Sequence, residues 1–259
     1  MKILSWNVNS IRVRKQQLLD LIKKEKPEII CLQETKVNND SFPVKEFEKC
    51  RYKIFLNGIS SYNGVAILTR IEPDKISIFD FCNKNDGRHI QIEINDVNIH
   101  SLYIPAGGDE PDPVLNKKFK HKLNFLDEFL EFSEKEKKSK NIFCGDFNVA
   151  PYEDDVWSHK SLRNVVSHTK VERQKLLEIL DKGNLIDSTR QLIFPPKNLF
   201  TWWSYRSPDF KKNNRGRRLD HIWVTNHKGL KLKKAKIISE TRELKKPSDH
   251  VPVLVEIKV

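Results

Sequence analysis

Five apolar runs of strand character in this chain end on, or begin with, an acid, an amide or a histidine. Lys2 to Ser5 leads into Trp6-Asn7-Val8-Asn9, Glu28 to Leu32 into Gln33-Glu34-Thr35, and Asn141 to Cys144 into Gly145-Asp146-Phe147-Asn148. Leu219-Asp220-His221 opens a further run, and Ser248-Asp249-His250 precedes Val251 to Ile257. In a layered α/β domain the ends of buried strands can share one rim, so dispersed polar groups can become one oxygen-rich site. A lone acid at such a position is ordinarily a loop cap or an ion-pair partner, but five in one chain point to a site. Carboxylates and amides, without paired cysteines or a His-x-x-x-His spacing, suit magnesium or manganese better than zinc. Glu34 is the foremost ligand candidate, because the apolar strand before it has no other reason to end in a charge.

The remaining pattern predicts how such strands are layered. Ser10 is placed to cap a helix from Ile11 to about Lys24, with Ile11, Leu18 and Ile22 on one face. Strand signals follow at Glu28 to Leu32, Lys53 to Leu56, Val65 to Arg70, Ile76 to Phe79, Ile90 to Ile94 and Asn98 to Tyr103. Asn95-Asp96-Val97 reads as a hairpin between the last two. Phe119, Leu123, Leu126 and Leu130 recur at helical spacing, with Lys and Glu on the opposite side. Beyond the Asn141 to Cys144 strand lie a loop from Ala150 to about Thr169 and a helix from Val171 to Leu180. Strands at Leu199 to Ser204, Leu219 to Thr225, Lys234 to Ser239 and Val251 to Ile257 complete the reading. Strands and helices in both halves predict two packed sheets with helices outside.

A formal net charge of +12 fits a polyanionic partner, although a generally Lys-rich composition would produce it too. Its distribution favours the partner, since Lys117 to Lys122, Lys211 to Arg218 and Arg242 to Lys246 crowd segments near the candidate residues. No segment approaches about 18 uninterrupted apolar residues, so no membrane-spanning helix is expected. The chain passes from Met1 directly into strand character, without the apolar run of a signal peptide. Four dispersed cysteines, with Cys31 and Cys144 inside buried runs, suggest neither a disulfide nor a zinc site, and a reduced cytoplasmic setting is expected.

Asp249-His250, flanked by Pro247 and Pro252, reads as a rigidly held acid–base or electrostatic group. Tyr103 either aims its hydroxyl at the same rim or is a half-buried core residue. Adjacent Trp202 and Trp203 in a strand would point to opposite faces, one into the core and the other toward a groove. The Lys211 to Arg218 loop is then a phosphate clamp, or simply a solvated loop.

In order and spacing, Trp6-Asn7-Val8-Asn9-Ser10-Ile11-Arg12, Leu32-Gln33-Glu34-Thr35-Lys36, Tyr103-Ile104-Pro105, Gly145-Asp146-Phe147-Asn148, Arg218-Leu219-Asp220 and Ser248-Asp249-His250 resemble the exonuclease III family. These are abasic-site endonucleases of the endonuclease/exonuclease/phosphatase superfamily, and the resemblance runs from residue 2 to about 256. It implies an α/β fold, a four-layered α/β sandwich of two mixed sheets flanked by helices, with residues 1–259 as a single catalytic domain. It implies a DNA-repair phosphodiesterase dependent on Mg2+, with Mn2+ as substitute. The expected partner is double-stranded DNA carrying abasic sites or blocked 3′ ends, bound by a monomer. By resemblance Glu34 is the principal metal ligand, with Asn7, Asp249, Asp146 and Asn148 contributing. Asp146 is similar to the residue that orients or deprotonates the attacking water, Asn148 to its partner at the scissile phosphate, and His250, held by Asp220, to the phosphate-oxygen contact. Tyr103 resembles the phenol near the reacting phosphate, while Trp202 and Leu219 line the pocket for a base-less sugar. Arg12, Lys36, Lys118, Lys122, Trp202, Arg206 and Arg217 are the expected DNA contacts. The chain departs from the pattern at Ala106, at Arg217 and in the acidic loop Gly107 to Pro113. The alternative is mainly a 3′-to-5′ exonuclease or RNA–DNA hybrid nuclease with weak abasic-site activity.

Overall fold

Alternation along the central strands divides their side chains between two cores. In β1 (Lys2–Asn7), Ile3 enters the space between two sheets, while Leu4 and Trp6 face the helix Ile11–Glu25. In β2 (Ile29–Gln33), Ile29 and Cys31 face inward and Ile30 and Leu32 outward. Strands buried on both faces read as unbroken apolar runs, which is why no polar alternation marks them in the sequence. The remaining strands are β3 (Lys53–Asn57), β4 (Val65–Thr69), β5 (Lys75–Ser77), β6 (His89–Ile94), β7 (Val97–Tyr103), β8 (Lys140–Asp146), β9 (Leu185–Asp187), β10 (Asp220–Thr225), β11 (Lys231–Ile237) and β12 (Val253–Lys258).

The computed structural model describes residues 1–206 and 209–259. Among these, two six-stranded mixed sheets form in the orders β11-β12-β1-β2-β4-β3 and β5-β6-β7-β8-β10-β9. Each has one parallel pair at its centre, β1 with β2 and β7 with β8. Isoleucine and valine from both sheets fill the space between them. Helices Lys117–Lys135 and Lys170–Lys182 cover the outer face of the second sheet through Phe125, Leu126, Phe129, Leu176 and Ile179. The expected four-layered sandwich is therefore present. No helix among the described residues is long and apolar enough to cross a membrane.

Several local expectations need correction. Ser10 makes no side-chain cap; with φ at 89° it lies outside the ordinary capping geometry. Loop carbonyls hold the helix entry instead, Ser10 N–H donating to Glu34 O and Ile11 N–H to Thr35 O. The hairpin after β6 is a two-residue turn of Asn95 and Asp96, both left-handed, a conformation these short polar residues tolerate without glycine. Leu199 to Ser204 is not a strand: only Trp202 forms bridges there, to Arg217 and His250. The buried stripe of helix Lys117–Lys135 runs through Phe119, Lys122, Phe125, Leu126 and Phe129, with Leu123 and Leu130 at its margin. Lys122, expected on a solvated basic face, is fully buried.

Candidate active site at the rim between the sheets

The inward-facing positions become polar toward one end of the sandwich. Ile3, Ser5 and Asn7 share a face, as do Ile29, Cys31 and Gln33; Ile99, Ser101 and Tyr103; Ile142, Cys144 and Asp146; and Val224, Ile222 and Asp220. Register completes the convergence. Tyr103 pairs with Asp146 across β7 and β8, and Asp220 with Asp146 across β8 and β10. Gly145 makes the first pairing possible, because a Cβ there would lie 1.9 Å from the Leu102 carbonyl oxygen.

Two further acceptor-bearing residues lie beyond the ends of their strands. Glu34 and Asn148 follow their strands in left-handed backbone, with φ of 50° and 53°. This conformation is sparsely populated for residues with a Cβ and tends to be retained where surrounding contacts enforce it. It brings Glu34 back to the rim, where Oε1 accepts from Asn7 Nδ2 and from the Tyr103 hydroxyl, both at 2.9 Å. Asn7 Nδ2 also donates to Asp146 Oδ2 at 2.9 Å, joining the two carboxylates through one amide. The Asn148 N–H donates to Asp146 Oδ1 at 2.9 Å, and Asn148 Nδ2 donates to Ile104 O at 2.8 Å. His250 Nδ1 lies 2.8 Å from Asp220 Oδ2, and its Nε2 lies 3.6 Å from Asp146 Oδ2.

Charge in this site is unevenly compensated. Burial opposes protonation of His250, but Asp220 and then Asp146 outweigh it and raise its pKa, so the imidazole is cationic at neutral pH. Burial raises the Asp146 carboxyl; His250 pulls it down, while Asp220 and Glu34 push it further up. Burial would also raise Glu34, yet the Lys36 ammonium and the Asn7 amide leave it below the ordinary range. Oxygens of Glu34 and Asp146 and a ring nitrogen of His250 lie within 4.8 Å of one another, and the protonated ring serves there as a hydrogen-bond donor while the carboxylates are free to ligate. Two of these atoms are carboxylate oxygens, and the neighbouring acids hold Asp146 up, so the cluster suits a small, hard, oxygen-preferring cation.

The other candidates divide into those that reach this cluster and those that do not. Asp249 is second to it: its oxygens accept from Asn9 Nδ2 at 2.9 Å and Trp202 Nε1 at 3.0 Å. Lys36 is turned inward, with Nζ 2.7 Å from Glu34 Oε2 and a bond to Asn9 Oδ1. Arg12 and Lys118 are exposed. Trp203 is the core member of its pair, packed with Phe200 and Val251, and Trp202 is half-exposed as expected. Trp202 walls a cavity with Trp157, Leu162, Arg206, Arg215 and Arg217, and Leu219 lies buried beneath it. Arg217 spans that wall, its guanidinium 5.3 Å from the Trp202 ring and donating to Val166 O and Ser167 Oγ.

Lys122 cannot contact DNA, since its ammonium is sealed beneath the site against Glu172. Arg218, counted with the basic loop, is likewise internal and bound to Asp155 and Asp187. The sequence reading assigned no role to four supports. Thr201 Oγ1 accepts from both Leu219 N–H and Asp220 N–H at 3.0 Å. Ser248 Oγ donates to Asn7 O at 2.8 Å, and Asn9 links Lys36 with Asp249. Arg14 ties Asn9 O to Pro247 O, joining the first and last site loops. Ser248, beside Asp249 and His250, and Asn9, within Trp6-Asn7-Val8-Asn9, carried a signal, whereas Thr201 and Arg14 did not.

Comparison with known proteins agrees with this geometry. The model of the endonuclease/exonuclease/phosphatase family matches residues 4–250. Exodeoxyribonuclease III of Haemophilus influenzae is 32% identical over 273 residues, covering 100% of both chains. A 3′ phosphatase from Neisseria, solved with a product DNA hairpin, has a TM-score of 0.90 and 33% identity. An AP endonuclease from Archaeoglobus fulgidus has a TM-score of 0.91 and 31% identity, both structures again covering 100% of each chain. The match in sequence and in fold over the length of the chain leads to a single assignment: the chain belongs to the endonuclease/exonuclease/phosphatase family, in its exodeoxyribonuclease III branch.

Proposed function

We propose that this protein is a DNA-repair phosphodiesterase that cuts duplex DNA 5′ to abasic sites and trims 3′ ends, working as a monomer with Mg2+ or Mn2+. One observation carries the proposal: a buried carboxylate, Asp146, a partly exposed one, Glu34, and an Asp220-held imidazole converge within 4.8 Å at the rim of the sandwich. Glu34, with Asn7 beside it, would hold the cation. Once bound, a divalent cation supplies charge stabilisation for the phosphate oxygens. Asp146, steadied by Asn7 and Asn148, orients the water and accepts its proton as the water oxygen bonds to phosphorus. His250 donates from Nε2 to a non-bridging oxygen, stabilising charge that develops as the bond to the 3′ oxygen breaks. Tyr103, whose hydroxyl pKa burial raises and nearby Glu34 raises further, remains a neutral hydrogen-bond donor. Arg12, Lys118, Arg206 and Arg217 are offered as phosphate contacts. Trp202 and Leu219 would receive a base-less sugar, which leaves the helix at lower energetic cost than an intact nucleotide.

Arg217 favours attention to the second reading. Stacked on Trp202 and tethered to Ser167, it narrows the pocket wall and leaves a cation beside it, a setting suited to a charged 3′ terminus. Three end-labelled substrates separate the readings: a duplex with one tetrahydrofuran abasic analogue, a recessed 3′ end, and an RNA–DNA hybrid. With Mg2+ the first two are expected to be cut, and a chelator should abolish both reactions. Cutting only at the recessed end or the hybrid would replace the abasic-site reading with the alternative.

A further inference from the structure

Within the otherwise apolar buried stripe of helix Lys117–Lys135, Lys122 stands fully buried. Its ammonium has three donors, and three acceptors surround it: Glu172 Oε1 at 2.5 Å, Asn148 O at 2.7 Å and Ala106 O at 3.2 Å. These acceptors come from three separate segments. One follows Tyr103, one carries Asp146 and Asn148, and one begins helix Lys170–Lys182. The loop after Tyr103 wraps directly onto the lysine stem, since a Cβ on Gly107 would lie 2.9 Å from Lys122 Cδ. Glu172 is equally committed. It accepts from Ser167 N–H at 2.9 Å, from Thr169 N–H at 3.1 Å and from the Thr169 hydroxyl at 2.6 Å.

A buried ion pair is poor value as a stabiliser, because desolvating two charges offsets most of their attraction and apolar residues of similar volume serve as well. What this pair does that an apolar pair could not is hold the Asn148 carbonyl with a charged donor. Asn148 is in left-handed backbone, and its own N–H, on the peptide unit before that carbonyl, holds Asp146 Oδ1. A rotation of the Asn148 unit would therefore move the hydrogen bond that aims Asp146.

We propose that Lys122, neutralised by Glu172, is a positioning residue that locks the backbone of Asn148 on its carbonyl side and through it the Asp146 carboxylate held on its N–H side. This rests on the phosphodiesterase reading above, in which Asp146 orients the water. Lys122→Met leaves the buried Glu172 charge without its ammonium partner, so loss of stability alone would explain any defect. The double variant K122M/E172Q removes both charges and is expected to keep a Tm near that of the wild type. It should nevertheless lower kcat by about 10–100-fold, with KM within about threefold, because misplacement of a reacting group acts on the chemical step. Independently of activity, hydrogen exchange at the Asn148 amide should accelerate by about tenfold or more. Wild-type kcat together with unchanged Asn148 exchange in the double variant would overturn the proposal and leave a plain structural ion pair. Should the wild-type protein cleave no DNA, the phosphodiesterase reading falls instead, and Asn148 exchange alone then decides whether Lys122 locks that backbone.

Discussion

His250→Ala is expected to lower kcat for DNA cleavage by about a thousandfold, the scale for removing one preorganised donor from a water-excluded site. KM should change little, because His250 is buried within the site and offers one donor among many contacts to a long substrate. Asp220→Asn should be nearly as damaging. Asp220 supplies the charge that raises the imidazole pKa, and its Oδ2 fixes which ring nitrogen faces inward. Without that carboxylate the imidazole pKa falls, so any residual activity of Asp220→Asn should decline as pH rises through neutrality. The wild-type imidazole, held protonated, should show no such loss there. Because the two residues act as a unit, the double variant should be little worse than either single one. Single-turnover kinetics on a defined duplex measure all three, and a His250→Ala enzyme within tenfold of wild type would remove the imidazole from the mechanism.

Arg218→Ala carries the largest expected effect on stability. Arg218 is fully buried and bonded to Asp155 Oδ1 at 2.8 Å, Asp155 Oδ2 at 2.9 Å and Asp187 Oδ2 at 2.6 Å. Removing it strands two interior carboxylates, of which only Asp155 retains an arginine partner, Arg190 at 3.0 Å. Breaking a buried pair in this way costs about 3–5 kcal/mol. In a chain of this size that corresponds to a fall in Tm of about 10 °C. Burial works against the Asp187 charge, but Arg218 and then His221 hold its pKa well below the usual carboxylate range. The stability this contributes is present above an unfolded-state pKa of about 4 and is lost as pH falls further. Wild type and Arg218→Ala should therefore differ most near neutrality and converge in acid. Thermal melts at pH 7 and pH 3 test this, and a constant difference between the two curves would contradict it.

How far the site was legible in the sequence depends on what determines each position. Asn7, Asp146 and Asp220 were readable because strand period and chain order alone carry them to the rim. Glu34 is out of phase with Gln33 and Asn148 lies beyond the end of β8, and left-handed backbone in the loops after β2 and β8 holds both. Glu34 was readable as a charge that ends an apolar strand, and Asn148 through its motif. Lys122 was misread because composition treats every lysine as a solvent cation, whereas its partners are two carbonyls and Glu172, which lies 50 residues away. Asp249 has the residue type of a ligand, and its long-range bonds from Asn9 and Trp202 come from loops that its own neighbours in sequence do not reveal. Most strand bounds were close to expectation, while Leu185–Asp187 was not read as a strand and the Leu199 to Ser204 segment was read as one. Its Trp202 bridges Arg217 and His250 singly, a tertiary arrangement that local pattern cannot distinguish from a strand.

Oxygen-isotope tracing of cleavage tests the central claim most directly. A duplex with one tetrahydrofuran abasic analogue, cut in 18O-labelled water with Mg2+, should carry the label in the new 5′-phosphate and none in the new 3′-hydroxyl. That outcome requires water to attack phosphorus while the 3′ oxygen departs, as the arrangement of Asp146 and His250 provides. An unlabelled phosphate, or label in the 3′-hydroxyl, would contradict it.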